Sequence, residues 1–232
     1  MHLNALEVKG ETMQLDALRH IAIEGVIGVG KSSLARRLGA HLNAELMMET
    51  PDENPFLERF YGDQPGYAFQ TQLSFLFQRL KQVQGMSQPG MFSPVIVSDF
   101  VFAKDSLFAQ LNLSDEEFRL YSHMYTQAAQ QVPEPDLVIW LQASPATLLS
   151  RVQRRGIRME SSIDEGYLSR LCTTYAEHFA SYDGAPVFTV DTERFNPANQ
   201  EADFSTLIQV LSAFSSRRGF YSPRQDFEKT VS

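Results

Sequence analysis

The segment GVIGVGKS, residues 25–32, follows the apolar run HIAIE and has the spacing G-x-x-x-x-G-K-[ST]. Its glycines carry no Cβ, so the backbone can turn tightly and point its N–H groups into one hollow. A helix predicted to begin at about Lys31 directs its positive N-terminal end at the same hollow. The alternative is a glycine-rich turn that matches by chance. The strand before the segment and the helix after it disfavour that alternative.

Two side chains of this loop carry the chemistry. Lys31 can reach the β- and γ-phosphates of a nucleotide, and the Ser32 hydroxyl can ligate Mg²⁺. The segment therefore predicts a site for a nucleoside triphosphate, ATP in the first instance, together with Mg²⁺. The residues expected to line it are Gly25, Val26, Ile27, Gly28, Val29, Gly30, Lys31, Ser32 and Ser33.

Composition limits the class of protein. A chain of 232 residues, 43% of them hydrophobic, fits one α/β domain with a substantial core. The net charge of −8 argues against a general affinity for nucleic acid. No apolar stretch is long enough to cross a bilayer, and the charged N-terminal segment contains no signal-peptide hydrophobic region. The single cysteine, Cys172, suits a reducing compartment. We therefore expect a cytoplasmic protein that binds neither nucleic acid nor membrane.

Short apolar runs alternate with helical patterns along the chain. Most of the runs are apolar throughout, as are strands covered on both faces of a parallel sheet. The predicted strands are 20–25, 44–49, 94–99, 136–142 and 186–191. The predicted helices are 31–42, 66–84, 114–131, 144–156, 164–182 and about 200–215. This alternation predicts an α/β fold of the P-loop NTPase type, with a doubly wound five-stranded parallel sheet flanked by helices.

The same reading divides the chain into three parts. Residues 1–17 form an N-terminal extension, and residues 18–214 form one P-loop domain. Within that domain, an arginine-rich segment at about 151–162 is expected to act as a lid. The C-terminal tail, 215–232, has no periodicity, and we expect it to be mobile or docked late.

From about His20 to Asp191 the chain resembles the deoxyribonucleoside kinase family, in particular its bacterial deoxyguanosine, deoxyadenosine and deoxycytidine kinases. IEGVIGVGKSSL is similar to the family's IEGNIGxGKST opening, and METPDENPF to its second-strand Glu motif. FYGDQPGYAFQTQLSFLFQRLK is similar to the family's substrate helix pair, and RVQRRGIRMES to its lid. The resemblance implies transfer of the ATP γ-phosphoryl group to the 5′-hydroxyl of a deoxyribonucleoside, for nucleotide salvage. It also implies a homodimer in which helices 67–83 and 114–131 pair with those of the partner.

Two acids at strand ends are candidates for the chemistry. Phosphoryl transfer to a sugar hydroxyl needs a base, Mg²⁺ and cations for the spread charge. Glu49 is predicted at the carboxyl end of the second strand, where doubly wound sheets bind ligands. The resemblance implies that Glu49 is the base for the 5′-hydroxyl; a solvated strand-end acid is the alternative. Asp99 ends the third strand, and we expect it with Ser32 on the metal side of the site.

The residue after Asp99 departs from the family pattern. The family usually has an arginine there, which helps to orient the base and to stabilise the transferring group, and this chain has Phe100. Lys104 can replace that charge if its segment turns as a helix. An exposed helix lysine is the equal alternative for Lys104. If nothing replaces the arginine, the alternative is that the protein is a slower enzyme, a regulatory protein or an inactive one.

The resemblance implies five substrate contacts. Gln72 has the donor and acceptor pattern that reads a nucleobase edge. Arg79 and Asp105 look like the family's second base-contact pair, which is typical of members that accept purines or cytosine. Tyr61 and Glu160 would hold the sugar 3′-hydroxyl between them. For each of these residues, the alternative is polar surface structure or packing.

Four arginines lie between residues 151 and 158, after a helix that is predicted to break at Gly156. Cations near a helix end suit a lid that closes over a triphosphate. The resemblance favours Arg155 and Arg158 as the phosphate contacts, both of them catalytic with Lys31 and Glu49, and leaves Arg154 without a role. The alternative is that all four arginines, at positions 151, 154, 155 and 158, are solvated and interchangeable.

Two other functions stay open. A nucleoside monophosphate kinase of the thymidylate kinase type would need an extra fixed cation near the second strand. The stretch METPDENPFLE offers acids there, with Arg59 as the nearby basic candidate. A nucleotide-binding regulatory module with weak or no catalysis is favoured by the missing arginine.

Overall fold

The computed structural model describes residues 13–62, 66–85 and 95–223. Its strands are β1 (His20–Gly25), β2 (Glu45–Met47), β3 (Ile96–Ser98), β4 (Leu137–Gln142), β5 (Val187–Asp191) and β6 (Arg218–Tyr221). Its helices are α1 (Lys31–Leu42), α2 (Leu57–Tyr61), α3 (Ala68–Gln84), α4 (Lys104–Asn112), α5 (Asp115–Ala129), α6 (Pro145–Arg155), α7 (Glu165–Ser181) and α8 (Glu201–Ser212). Short 3₁₀ turns lie at Leu15–Ala17, Pro51–Glu53 and Arg158–Glu160.

The six strands form one sheet in the order β2-β3-β1-β4-β5-β6, and all five neighbouring pairs are parallel. β1 is central: Ala22 aligns with Ser98 of β3 on one side and with Val138 of β4 on the other. The strand order reverses at β1, so the chain has a topological switch point there, and doubly wound sheets bind ligands at such points. The predicted α/β class with a doubly wound parallel sheet is confirmed.

Over the described residues the sheet has six strands, one more than the five that the sequence predicts. The additional strand, β6, lies in the C-terminal tail for which no regular structure was expected. It pairs with β5, with Val187 opposite Arg218. Its four residues, RGFY, alternate between exposed and half-buried, so this edge strand has no apolar run that a sequence pattern could reveal. Within the predicted extension 1–17 and tail 215–232, only residues 13–17 and 215–223 are described.

Two hydrophobic clusters hold the fold together. The larger one joins the sheet to α1, α6, α7 and α8. All six residues of β1 are buried, and Ile21, Ala22 and Ile23 belong to this cluster. The smaller one joins α3, α4 and α5 through Leu76, Ala109, Tyr121 and Ala128. This second cluster matters for the site because it fixes α3 and α4 against each other beside the carboxyl ends of β1 and β3.

Helix signals in the sequence agree with the helix ends. A capping box stabilises the start of α5: the Glu117 backbone N–H donates to the Ser114 hydroxyl oxygen, and the Ser114 backbone N–H donates to the Glu117 carboxylate. α6 begins at Pro145 after the N-cap Ser144 and ends at Arg155, before Gly156 in the left-handed conformation (φ 68°). The predicted break at Gly156 is therefore confirmed. No helix within the described ranges is both long and apolar enough to cross a membrane.

Candidate active site

The glycine-rich loop connects β1 to α1 as its spacing predicts. Gly30 is the N-cap of α1 with φ 106°, a conformation that favours glycine. At Gly25, with φ 149°, a Cβ would lie 2.4 Å from the Leu141 carbonyl oxygen of the neighbouring strand. The loop thus depends on glycine at both ends, and its backbone turns directly into the N-terminus of α1.

Lys31 folds back over this loop. Its Nζ donates to the carbonyl oxygens of Gly25 at 2.8 Å and Val26 at 3.3 Å, and the residue is buried. Burial and the nearby Lys104 lower the pKa of Lys31 to about 8, although three carboxylates act in the opposite direction. A bound phosphate would stabilise the charged form of this amine, so Lys31 is placed to meet one.

Asp99 connects the loop to the segment after β2. The Ser32 hydroxyl donates to Asp99 Oδ2 at 2.5 Å, and the Glu49 backbone N–H donates to Oδ1 at 2.8 Å. β2 ends at Met47, two residues before Glu49, so it is shorter than predicted. Asp99 nevertheless holds the Glu49 backbone beside the phosphate loop, as a strand-end position would.

The Glu49 carboxylate lies between two cations. Lys104 Nζ donates to Oε2 at 2.6 Å, and Arg79 donates to Oε1. Burial acts to raise the pKa of Glu49, but Lys104, Arg79 and Lys31 together outweigh it and hold this pKa below its usual value. Glu49 is therefore an ionised carboxylate at neutral pH, which is the form that a proton acceptor needs.

Arg79 bridges two carboxylates, because its other terminal nitrogen donates to Asp105 Oδ1. Both residues are almost fully buried, at 4% and 2% exposure. Burial raises the pKa of Asp105 to about 7, against the lowering effect of Arg79. Asp105 Oδ2, Arg79 Nε and the Tyr121 hydroxyl are buried with no hydrogen-bond partner among the described residues. Such atoms are rare in protein interiors and fit a ligand that supplies the missing partners.

A cavity of about 220 Å³ opens over these groups, and we call it the carboxylate cavity. The structure brings all five predicted substrate residues to its wall. They are Tyr61, Gln72, Arg79, Asp105 and Glu160, and they line it with Glu49, Asp99, Lys31, Ser32 and Arg155. Burial raises the pKa of Tyr61, so its hydroxyl stays protonated and can donate.

A second cavity of about 260 Å³, the arginine cavity, lies on the other side of the phosphate loop. Its lining consists of Gly28, Val29, Gly30, Lys31, Ser32, Ser33, Arg151, Arg154, Arg155, Asn196, Ala198 and Asn199. Arg155 lines both cavities, and its NH2 donates to the Glu160 carboxylate at 2.6 and 2.5 Å. Arg158 is exposed in the short 3₁₀ turn and lines neither cavity, so its contact with phosphate stays a prediction.

Residues 21–214 match the model of the deoxynucleoside kinase family. The chain belongs to this family. Deoxyguanosine kinase of Bacillus subtilis (strain 168) is 30% identical over 192 residues, which cover 81% of this chain and 93% of that protein. Deoxyadenosine kinase of Dictyostelium discoideum is 33% identical over 198 residues, which cover 84% and 78% respectively. The solved structure of deoxyadenosine kinase from M. mycoides with bound dATP matches with a TM-score of 0.71 at 28% identity, covering 83% of this chain and 98% of that one.

Membership of the deoxynucleoside kinase family makes this protein an ATP-dependent phosphotransferase that acts on deoxyribonucleosides. The function predicted from the sequence is thereby confirmed at this level. The monophosphate kinase alternative is not favoured, and the structure adds a physical reason. Arg59 donates to the Tyr67 hydroxyl at 2.9 Å and does not line the carboxylate cavity, so it offers no fixed cation for an acceptor phosphate.

Two parts of this kinase site escaped the sequence analysis. Glu24, inside the apolar run of β1, is fully buried and accepts hydrogen bonds from the backbone of Gly25 and Val101 and from the Tyr175 hydroxyl. Burial raises its pKa against the charges of Lys104 and Lys31. Glu24 ties the phosphate loop to the turn before α4. The signal that could have revealed it is an acid within a strand that is otherwise apolar.

The role of Arg151 is the second feature that the sequence does not reveal, because the sequence places this residue with the other arginines of the lid segment. Its guanidinium donates to the Thr192 hydroxyl at 3.1 Å, to the Thr192 carbonyl at 2.6 Å and to the Val29 carbonyl at 3.4 Å. It thus joins α6 to the phosphate loop and to the segment after β5. Glu193 supports the same junction by accepting from the backbone and hydroxyl of Ser144 and from the Thr147 hydroxyl.

Proposed function

We propose that this kinase phosphorylates deoxyribonucleosides with a purine or cytosine base at their 5′-hydroxyl, with ATP as donor and Mg²⁺, giving a deoxyribonucleoside monophosphate for salvage. The observation that carries the base preference is the buried, unpartnered Oδ2 of Asp105, a residue that lines the carboxylate cavity. The exocyclic amino group of adenine, guanine or cytosine would donate to this atom, and thymine has no such group. Gln72, which is also buried there, would read the neighbouring base edge.

In the proposed reaction, the 5′-oxygen attacks the γ-phosphorus, the bond to the β,γ-bridging oxygen breaks, and ADP leaves. Glu49 accepts the 5′-hydroxyl proton as the new bond forms. Lys31, Arg155 and Arg158 meet the negative charge on the transferring group and the leaving phosphate. Arg158 reaches that charge only if the segment after Gly156 moves, which is the closure expected of a lid.

Tyr61 and Glu160 are proposed to hold the 3′-hydroxyl, which would fix the sugar so that its 5′-oxygen points at Glu49. The pairing of Arg155 with Glu160 supports this assignment in a further way. It connects Arg155, the last residue of α6 and a proposed phosphate contact, to Glu160, a proposed contact of the sugar. Sugar binding and closure on the phosphates would therefore share one contact.

Ser32 and Asp99 fit a magnesium ion, since a hydroxyl and a carboxylate oxygen lie together beside the phosphate loop and are ligands that Mg²⁺ prefers. Within the described ranges, no group of three or more His, Cys, Asp or Glu side chains could hold a metal by itself. Two protein oxygens with phosphate oxygens and water are the usual arrangement for this ion. When bound, Mg²⁺ would neutralise charge on the β- and γ-phosphates.

A cytoplasmic homodimer is the proposed state of the enzyme. Phe77 of α3 and Leu120 of α5 are large apolar side chains with 59% and 50% exposure, on the two helices for which pairing is expected. Size-exclusion chromatography with light scattering tests this directly. A double Phe77→Glu and Leu120→Glu variant should be monomeric, and a monomeric wild-type protein would contradict the proposal.

One assay tests the proposed reaction. The purified protein is given ATP, Mg²⁺ and each of the four deoxyribonucleosides, with dTMP and dCMP as acceptors in parallel. We expect kcat/KM for deoxyadenosine, deoxyguanosine or deoxycytidine to exceed that for thymidine by about tenfold or more, since one hydrogen bond to a buried acceptor distinguishes them. Turnover of the monophosphates alone, or a clear preference for thymidine, would overturn the assignment.

A further inference from the structure

The position after Asp99 is where the chain departs from its family, and the structure shows what stands there. Phe100 is buried, with 1% exposure, and its ring lies 5.4 Å from the Arg79 guanidinium carbon. Phe75 approaches the same guanidinium at 5.2 Å. Phe100 is therefore a packing residue that shields Arg79, and it carries no charge to Glu49.

Lys104 supplies a charge from a different place in the chain. It is the first residue of α4, is 6% exposed, and bonds Glu49 Oε2 at 2.6 Å. The alternative of an exposed helix lysine is wrong. Its ammonium nitrogen also lies 5.5 Å from the centre of the Phe108 ring, one turn further along the helix. The amine is thus held between an aromatic ring and the carboxylate.

The start of α4 is fixed, so the position of Lys104 does not depend on its own flexible stem alone. Lys104 N–H donates to the Val101 carbonyl oxygen at 3.1 Å, and Val101 N–H donates to the buried Glu24 at 2.9 Å. Leu107 packs in the larger hydrophobic cluster and Ala109 in the smaller one. A lysine fixed in this way can hold a carboxylate in one orientation.

We infer that Lys104 is the residue that positions Glu49 for catalysis, in place of the arginine that Phe100 replaces. The inference rests on the proposed role of Glu49. Arg79 does not serve in its stead, because its two terminal nitrogens are shared between Glu49 and Asp105. Arg79 holds Oε1 and Lys104 holds Oε2, so the two cations together set the plane of the carboxylate.

The orientation of Glu49 matters to the transition state more than to substrate binding, because a base that points away from the 5′-hydroxyl leaves the nucleoside contacts intact. Loss of Lys104 should therefore lower kcat and leave the KM for the nucleoside nearly unchanged. Other charged groups face Glu49 and remain in such a variant. They are Arg79, Lys31, Asp99 and Asp105.

A double-mutant cycle tests the inference in the full-length protein. Lys104→Met keeps the length of the side chain and removes the charge; it should lower kcat by about thirtyfold, within the range for lost positioning. In the Glu49→Gln background the same change should lower kcat by less than about threefold, because there is no base left to position. Lys104→Arg should restore kcat to within about threefold of wild type. Lys81→Met, an exposed lysine of α3, is the matched control and should leave kcat unchanged.

The outcomes separate this inference from the proposed function. Equal losses for Lys104→Met in both backgrounds would show that Lys104 acts through another group, with the kinase activity intact. A change in KM alone would make Lys104 a binding residue. A wild-type protein without deoxyribonucleoside kinase activity would instead remove the proposed function. If thermal denaturation shows that Lys104→Met does not fold, Lys104→Gln takes its place in the cycle, and additive losses there overturn the inference equally.

Discussion

The carboxylate cavity and the arginine cavity share Gly28, Lys31, Ser32 and Arg155 but are built in different ways. The arginine cavity consists of consecutive residues of one loop, the end of one helix and a few small residues after β5. The carboxylate cavity collects charged side chains from α1, α3, α4 and the segments after β2, β3 and α6. The first thus combines one local motif with two further segments of the chain, whereas the second depends on single side chains from six different elements and segments.

The ion pairs differ in burial as well. Arg79, Asp105 and Lys104, which line the carboxylate cavity alone, have side chains that are 2–8% exposed, whereas Arg155, which lines both cavities and pairs with Glu160, is 44% exposed. Removing one partner of a buried pair leaves an uncompensated charge and costs about 3–5 kcal/mol, whereas an exposed pair contributes about 1 kcal/mol or less. Changes in the carboxylate cavity should therefore lower stability and activity together. Changes in the arginine cavity should lower activity alone.

Lys31→Ala should have the largest effect on activity, because Lys31 lines both cavities. We expect kcat to fall by about a thousandfold or more, since the cation that meets the β- and γ-phosphates is lost. The fold should persist, because the amine is bonded only to two carbonyl oxygens of its own loop. Steady-state kinetics and circular dichroism measure the two effects. Wild-type turnover in this variant would remove the phosphate loop from the mechanism.

Glu49→Gln should have the next largest effect, and it tests the carboxylate cavity. The amide keeps the size of the side chain and cannot accept the proton, so kcat should fall by about a hundredfold or more. Nucleoside binding, measured by calorimetry, should change little. The melting temperature should fall, because Lys104 loses its charged partner. Glu45→Gln, an exposed acid of β2, is the control. Unchanged kcat with a raised KM would make Glu49 a binding residue.

Substitutions of Arg154, Arg155 and Arg158 test the arginine cavity and the closure expected of the lid segment. Arg155→Ala and Arg158→Ala should each lower kcat by about a hundredfold, with Arg154→Ala near wild type, if the segment after Gly156 closes over the triphosphate. Melting temperatures should stay close to wild type in all three, because these side chains are exposed or half-exposed. In the structure, however, Arg154 lines the arginine cavity and Arg158 does not. A large effect of Arg154 with none at Arg158 would show that no such closure takes place.

This difference between the cavities also explains what the sequence could predict. The phosphate loop, the start of α1 at Lys31 and the break at Gly156 depend on neighbouring residues, whose spacing carries the information. β6 could not be predicted, because an edge strand with one half-buried face has no apolar run. The bond from Arg151 to Thr192 joins residues 41 positions apart, and no local pattern encodes it.

The position of Lys104 is intermediate between features that neighbouring residues encode and features that long-range contacts decide. The sequence places it five residues after Asp99, from which a helix could turn it toward the site or toward solvent. The choice depends on how α4 packs between the two hydrophobic clusters, which involves residues of α3, α5 and α7. A single sequence contains no direct record of those contacts, so both interpretations were equally supported. The resemblance to a family could not decide either, because the family has its charge at a different position.

The smallest effect that we predict is a pH dependence of the nucleoside KM, caused by Asp105, which lines the carboxylate cavity and not the arginine cavity. The ionised Asp105 accepts a strong hydrogen bond from a base amine, whereas the protonated carboxyl accepts only a weaker one through its carbonyl oxygen. Since burial raises this pKa to about 7, the KM for 2′-deoxyadenosine should rise as the pH falls through about 7. Between pH 8 and pH 6 the ionised fraction falls about tenfold, and because the protonated carboxyl still accepts a weaker hydrogen bond we expect KM to increase by about fivefold. Purine 2′-deoxyriboside, which lacks the 6-amino group, should show no such change.

Asp105→Asn makes the same argument in a second way. The neutral amide forms a weaker hydrogen bond to the amine than a carboxylate does, so the KM for 2′-deoxyadenosine should be about tenfold higher at pH 8 and nearly constant down to pH 6. The KM for ATP should be the same in the wild type and in Asp105→Asn, because Asp105 does not line the arginine cavity, where the phosphate loop would hold the ATP phosphates.

A parallel pH dependence of the KM for ATP and the KM for 2′-deoxyadenosine in the wild type would point to a group that both cavities share. Lys31, whose pKa is lowered to about 8, is such a group, but its titration would weaken binding as the pH rises rather than as it falls. The direction of the change in KM with pH therefore distinguishes a titration of Asp105 from a titration of Lys31.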